Sequence, residues 1–242
     1  MKKATKILAL LMCAVLLVVA SVAGTLAYLT SQDKAVNNFT VGKVQITLDE
    51  APVNDDGEPL RDQDRVQSND YHLLPGHYYS KDPMVHVVAD SEDCYVRMFV
   101  TITHSEEWDD ICDAHVDDNG NRLFGADDMF VGLSPAWTLN NNTKNIAAGN
   151  TRTYEFWYNT KVTDVSETED MDLDALFDGI QIPDALTNED LAKLEDDAAT
   201  AADEGFKIYI VAQAIQADGF ADAAAAFGAA PAITGAALMP TV

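Results

Sequence analysis

Three histidines and an aspartate fall close together in the first half of the chain: His72, His77, Asp82 and His86. Imidazoles and carboxylates are what zinc takes as ligands, so these residues raise the question of a metal centre. A helical HExxH, which would set two imidazoles on one face with a carboxylate base beside them, does not occur. His104 precedes Glu106 and Glu107, yet no second histidine follows at the spacing a metal pair needs. His86 stands between Val85 and Val87, where a strand would turn it to the solvent face. His72, His77 and His86 are thus candidate zinc ligands without a convergent set, and no catalytic residue is assigned. Ser and His are both present without a GxSxG elbow. With 40 Asp and Glu side chains, paired carboxylates arise by chance and identify nothing.

Other chemistry is equally local. Asn54, Asp55, Asp56 and Gly57 have the look of a calcium loop, but an EF-hand needs a ligand five residues before its glycine, where Pro52 stands. A turn fits better. Tyr154 and Trp157 could form a sugar-binding platform, though period-two aromatics serve cross-strand packing more simply. Cys94 and Cys112 either bridge, closing a loop worth on the order of 3 kcal/mol, or stay as two buried thiols. Neither sits beside a histidine in a nucleophile pattern.

The elements that position these residues begin with a leader. Lys2, Lys3 and Lys6 give a positive start, and residues 7–27 carry no charge. This is an export signal, with small residues at Thr25 and Ala27 for cleavage between Ala27 and Tyr28. The alternative is a retained anchor, since residues 7–29 are about long enough for a bilayer at roughly 20 residues. Removing residues 1–27 takes away three lysines and leaves 12 basic side chains against 40 acidic, a formal charge of −28. Nucleic acid is thereby excluded as a natural partner, because phosphates demand the opposite sign. Association of such a self-repelling particle would respond to salt, divalent cations or acid.

Residues 28–220 read as one domain. Val44, Ile46 and Leu48 alternate with polar residues, as in a strand with one buried face. Residues 51–70, with Pro52, Gly57 and Pro59, form an exposed loop. Strands are expected over 84–88 and 94–103, a short helix over 105–116 with Trp108, Ile111 and Cys112 on one face, and a turn at 140–142. Further strands fall at 151–162 and 206–215, the latter apolar on both faces and so buried on both. Thr187 with Asp190 caps a helix over 187–195. Residues 221–242 read as a short alanine-rich helix and a frayed tail, without an LPxTG sorting signal. Seven or eight strands spaced by turns indicate an all-β antiparallel sandwich with short peripheral helices.

Several blocks together resemble one family. GTLAYLTS at 24–31 and NNFTVGKVQITLDE at 37–50 are similar to the export signal and first strand of the TasA and camelysin family. The similarity continues through the PG, DP and YVR elements of 75–97, LFDGIQIP at 176–183 and AIQADGF at 214–220. Leu29 replaces a more usual Phe. The resemblance implies a jelly roll, secretion after processing by a signal peptidase of the SipW type, and a role as a surface or biofilm-matrix fibre subunit. It also implies an alternative, because camelysin is classed as a zinc metallopeptidase.

Cleavage after Ala27 frees an arm beside a strand. Phe39, Val41, Val44, Ile46 and Leu48 form an apolar alternating ribbon able to pair with an open sheet edge of the next subunit. Such a contact does not close on itself and gives filaments. Three expectations follow: a self-associating structural protein outside the cell, a zinc peptidase, or a module that holds a glycan or a protein. No cofactor is assigned, with calcium or zinc as the open options.

Overall fold

The computed structural model describes residues 12–14, 30–33, 44–145, 150–195 and 205–239. Its strands are β1 (Thr30–Asp33), β2 (Ile46–Asp49), β3 (Tyr78–Ser80), β4 (Met84–Val87), β5 (Cys94–Ile102), β6 (Phe130–Val131), β7 (Trp137–Asn145), β8 (Thr151–Tyr158), β9 (Met171–Asp172), β10 (Gly179–Gln181) and β11 (Ile208–Gln216). Helices α1 (Ser105–Ala114), α2 (Asn188–Leu191) and α3 (Ala223–Ala229) are short. The protein is all-β, built from three antiparallel sheets. A five-stranded sheet has the order β1-β11-β5-β8-β7, and two three-stranded sheets have the orders β3-β10-β6 and β2-β4-β9. Among the described residues no helix is long and apolar enough to cross a membrane.

Strand β5 shows why the large sheet forms. Its alternation sends Val96, Met98, Val100 and Ile102 to one face, all at most 1% exposed, where they join a single cluster with residues of both small sheets. Val44, Ile46 and Leu48 enter this core beside Val85 and Val87, as their period-two pattern requires. The other face of β5 is covered too: Phe99 and Val211 pack under Ile233, while Ile215 meets Ala226 and Phe227 of α3. The segment expected to fray is therefore partly a lid, with Ile233 buried and Ala237 and Leu238 packed against it.

Local signals at the helices are obeyed, with tertiary additions. Thr187 Oγ1 accepts from the Asp190 N–H and Asp190 Oδ2 accepts from the Thr187 N–H, a complete capping box. Helix α1 buries Trp108, Ile111 and Cys112, yet its N-terminus is capped from a distance. Asn150 Oδ1 accepts from the Glu106 N–H at 2.8 Å and from Ser105 Oγ at 3.2 Å. The turn expected at 140–142 is instead part of β7, which pairs with β8 through a bulge between Leu139 and Asn141. Asn140, Asn141 and Asn142 are exposed there, so the ladder overrides their turn preference at no cost in buried polar groups.

Candidate functional site

The segment that follows the uncharged N-terminal stretch forms β1, an outermost strand of the large sheet. In β1, Thr30, Ser31, Gln32 and Asp33 stand opposite Ile215, Ala214, Gln213 and Ala212 of β11. On its other side β11 pairs with β5 over nine positions, from Ile208 with Ile102 to Gln216 with Cys94. The contrast sets the energetics: a few ladder hydrogen bonds, each a net 0.5–1.5 kcal/mol or so, hold β1 at the edge. Past Val44 the chain enters another sheet, with Ile46 and Leu48 of β2 paired to Val87 and Val85 of β4. Phe39 and Val41 of the expected assembly ribbon, and the cleavage residues Ala27 and Tyr28, lie outside the described residues. Val44, Ile46 and Leu48 are buried in the chain's own core at 3%, 2% and 6% exposure.

The template beneath that edge is stiffened by a buried charge. Arg97 on β5 donates from Nε to Gln213 Oε1 at 2.7 Å and from Nη1 to Glu155 Oε1 at 2.8 Å. Trp157 Nε1 donates to the same carboxylate oxygen, and the guanidinium lies 4.8 Å from the Phe99 ring centre and 4.5 Å from that of Phe227. Burial lowers the Arg97 pKa, opposed by Glu155. These contacts tie β5, β8, β11 and α3 into one rigid face. YVR at 95–97 placed Arg97 on that strand, but no local pattern named its partners.

The loop at 51–70 is anchored by a second polar network. Arg65 donates from Nε to Asp49 at 2.5 Å, from Nη1 to Asp82 Oδ2 at 2.9 Å and from Nη2 to the Asp82 carbonyl at 2.8 Å. His86 bridges Asp49 through Nε2 at 2.9 Å and Asp172 through Nδ1 at 2.6 Å. The Asp49 hydrogen bond, with Asp172 and against burial, raises His86 to about 9. Burial pushes Asp49 up, but hydrogen bonds from His86 and Arg65 outweigh it and hold that carboxyl below its ordinary range. Deeper in, Lys81 pairs with Glu50, while Asn69 Nδ2 donates to the other Glu50 oxygen at 2.9 Å.

The remaining candidates disperse. Of the histidines, His86 serves the ion pairs, His77 lies against the Tyr79 ring with Nε2 2.7 Å from the Asp56 carbonyl, and the His72 carbonyl accepts from Tyr79. Among the described residues no three His, Cys, Asp or Glu side chains converge as a metal-ligand set. Asn54 to Gly57 is a turn: Asn54 Oδ1 accepts from the Asp56 and Glu58 N–H groups. Gly57, at φ +73°, is pressed so closely on Tyr79 that a Cβ would lie 2.4 Å from Cδ1.

Cys94 and Cys112 are free, buried thiols, the second of the two states their sequence left open, and not the bridge. Cys94 opens β5, whereas Cys112 rides on α1 beyond its far end, and nine strand residues span about 26 Å. Disulfides need Cα atoms within about 7 Å. Burial pushes the thiols up to about 12 and about 11, which makes both unreactive. The aromatic pair is also committed: Tyr154 donates to Asp127 Oδ1 at 2.8 Å, and Trp157 packs on Phe227. No protein-family model, no curated protein and no solved structure matches this chain, so its function has to be read from its own residues.

Proposed function

We propose that the protein is an exported structural subunit of the cell surface or extracellular matrix, with a jelly-roll sandwich, that builds fibres by N-terminal strand addition. Processing after Ala27 by a signal peptidase of the SipW type frees the arm, and the membrane is met only through the leader. The observation that carries the reading is the place of Thr30–Asp33: next to the leader in sequence, and outermost on the rigid β11 edge. A strand held by so few ladder bonds can leave its own sheet and fill the same edge on a second copy, because both states satisfy the same backbone groups. Exchange of identical elements between protomers is a low-cost route to assembly, and head-to-tail exchange does not close. The formal charge of −28 on the processed chain opposes close approach of copies, so acid or divalent cations should promote growth.

A cysteine lock tests this reading. Ser31 and Ala214 are Cα partners. Ser31→Cys with Ala214→Cys, oxidised in the monomer, should keep the processed protein monomeric under conditions where the reduced form makes filaments, followed by electron microscopy and sedimentation. Fibre growth by the locked form, or a wild type monomeric at every pH and calcium level, would overturn the proposal.

A further inference from the structure

Glu50 at the end of β2, Asn69 in the anchored loop and Lys81 just past β3 come from three separate segments and meet in one buried place. Glu50 is 4% exposed and Lys81 7%. One Glu50 oxygen holds the Lys81 ammonium and the other accepts from Asn69 Nδ2 at 2.9 Å. Asn69 is fixed on every side: Nδ2 also donates to the Ala51 carbonyl at 2.9 Å, and Oδ1 accepts from the Val53 N–H at 3.0 Å. Only this orientation of the amide satisfies all three contacts. The Tyr71 ring closes one side, 5.6 Å from the Lys81 nitrogen.

An ion pair alone would explain Glu50 and Lys81, but not why an amide shares the carboxylate with its own carbonyl pinned to a backbone donor. We infer that Lys81 and Asn69 become joined by an isopeptide bond, made by the folded chain on itself with Glu50 as proton carrier. A lysine amine, a carboxamide carbon, a carboxylate touching both nitrogens and an N–H on the carbonyl oxygen are the parts that acyl transfer requires. Burial keeps water from competing.

The step balances without any co-reactant. Glu50 takes a proton from the Lys81 ammonium and frees the nitrogen lone pair. Nζ then attacks Cγ of Asn69, and the carbonyl electron pair moves onto Oδ1, where the Val53 N–H receives it. Glu50 returns its proton to Nδ2 and takes the second proton from Nζ. The Cγ–Nδ2 bond breaks, ammonia leaves, and a neutral amide joins Cγ to Nζ. Nothing is oxidised or reduced. The product ties the loop at 51–70 covalently to the end of β3, which suits a protein exposed to proteases or pulling. It needs only the folded chain, so it stands or falls separately from the assembly proposed above.

Peptide mapping of the folded, full chain tests it. Trypsin should fail to cut after Lys81, because its amine is acylated, and should give a 66–97 peptide lighter than its sequence by one ammonia, about 17 Da. Lys81→Arg and Glu50→Gln should each restore the full mass, and Asn69→Asp should lose water, about 18 Da, in place of ammonia. A 66–81 peptide released at its full sequence mass from folded wild type would overturn the inference even if a variant fails to fold. Loss of ammonia that persists in Lys81→Arg would overturn it too, since it would then arise at Asn69 alone.

Discussion

The five-stranded sheet and the β2-β4-β9 sheet, two layers that share one core, solve the same problem by different means. The large sheet is covered on both faces: β5 places Met98 in the shared core and Arg97 beneath Phe227, both strongly buried. The β2-β4-β9 sheet buries Ile46, Leu48, Val85 and Val87 on one side, and on the other it collects Asp49, His86 and Asp172 with Arg65 from the loop and Asp82 from the connection between β3 and β4. A strongly acidic chain thus places Arg65 and His86 among three carboxylates, Asp49, Asp82 and Asp172. Beside its Arg97–Glu155 pair, the first layer rests on apolar burial that is indifferent to pH and salt, while the second layer's half-exposed charges answer to both.

The difference can be broken from the first layer, and the largest effect is expected there. Arg97→Ala leaves buried Gln213 and half-buried Glu155 without their cation and should cost about 3–5 kcal/mol in urea unfolding. Arg97→Met, which keeps the packing, should cost clearly less if stacking on Phe99 and Phe227 matters most. Met98→Ala, one residue away on the opposite face, removes a fully buried side chain and should cost about 2–5 kcal/mol at every pH tested.

His86 sharpens the contrast from the other layer. Its folded pKa of about 9 lies above the ordinary 6.5, so its contribution is complete below pH 6.5 and is lost as pH rises through 9. Wild-type stability should fall by about 1–3 kcal/mol across that window, discounted for partial exposure. His86→Gln should flatten the curve there, and an unchanged slope would show that the pair is not coupled to folding. Asp49 works in the opposite sense: its depressed pKa gives stability present at neutral pH and lost as acid protonates it. Smallest of all, Lys161→Ala removes an exposed pair with Asp93 and should leave the thermal midpoint unchanged within error.

Much of the fold was legible because its signals are local. Apolar residues on both faces of 206–215 marked β11 as a strand buried on both sides, and alternation marked Val44, Ile46 and Leu48 as a core-facing row. Thr187 with Asp190 announced a helix start that the capping box realises. The Asn run in β7 misled because turn propensity yields to a ladder partner on an exposed edge. Proximity misled for the histidines: 14 residues separate His72 from His86, yet only His86 joins the ion pairs and its partners come from β2 and β9.

By itself the sequence determined what short-range periodicity and composition carry: an uncharged N-terminal stretch, an acidic composition, strands with defined faces and the helix cap. Tertiary structure alone decided which residues meet. Glu50, Asn69 and Lys81 lie up to 31 positions apart and converge only because β2, the loop and β3 are folded against one another. Cys94 and Cys112, 18 positions apart, are held away from each other by the rigid strand between them. Side-chain pattern fixes the face a residue takes, whereas its neighbour is fixed by strand pairing across long loops, which no local spacing encodes.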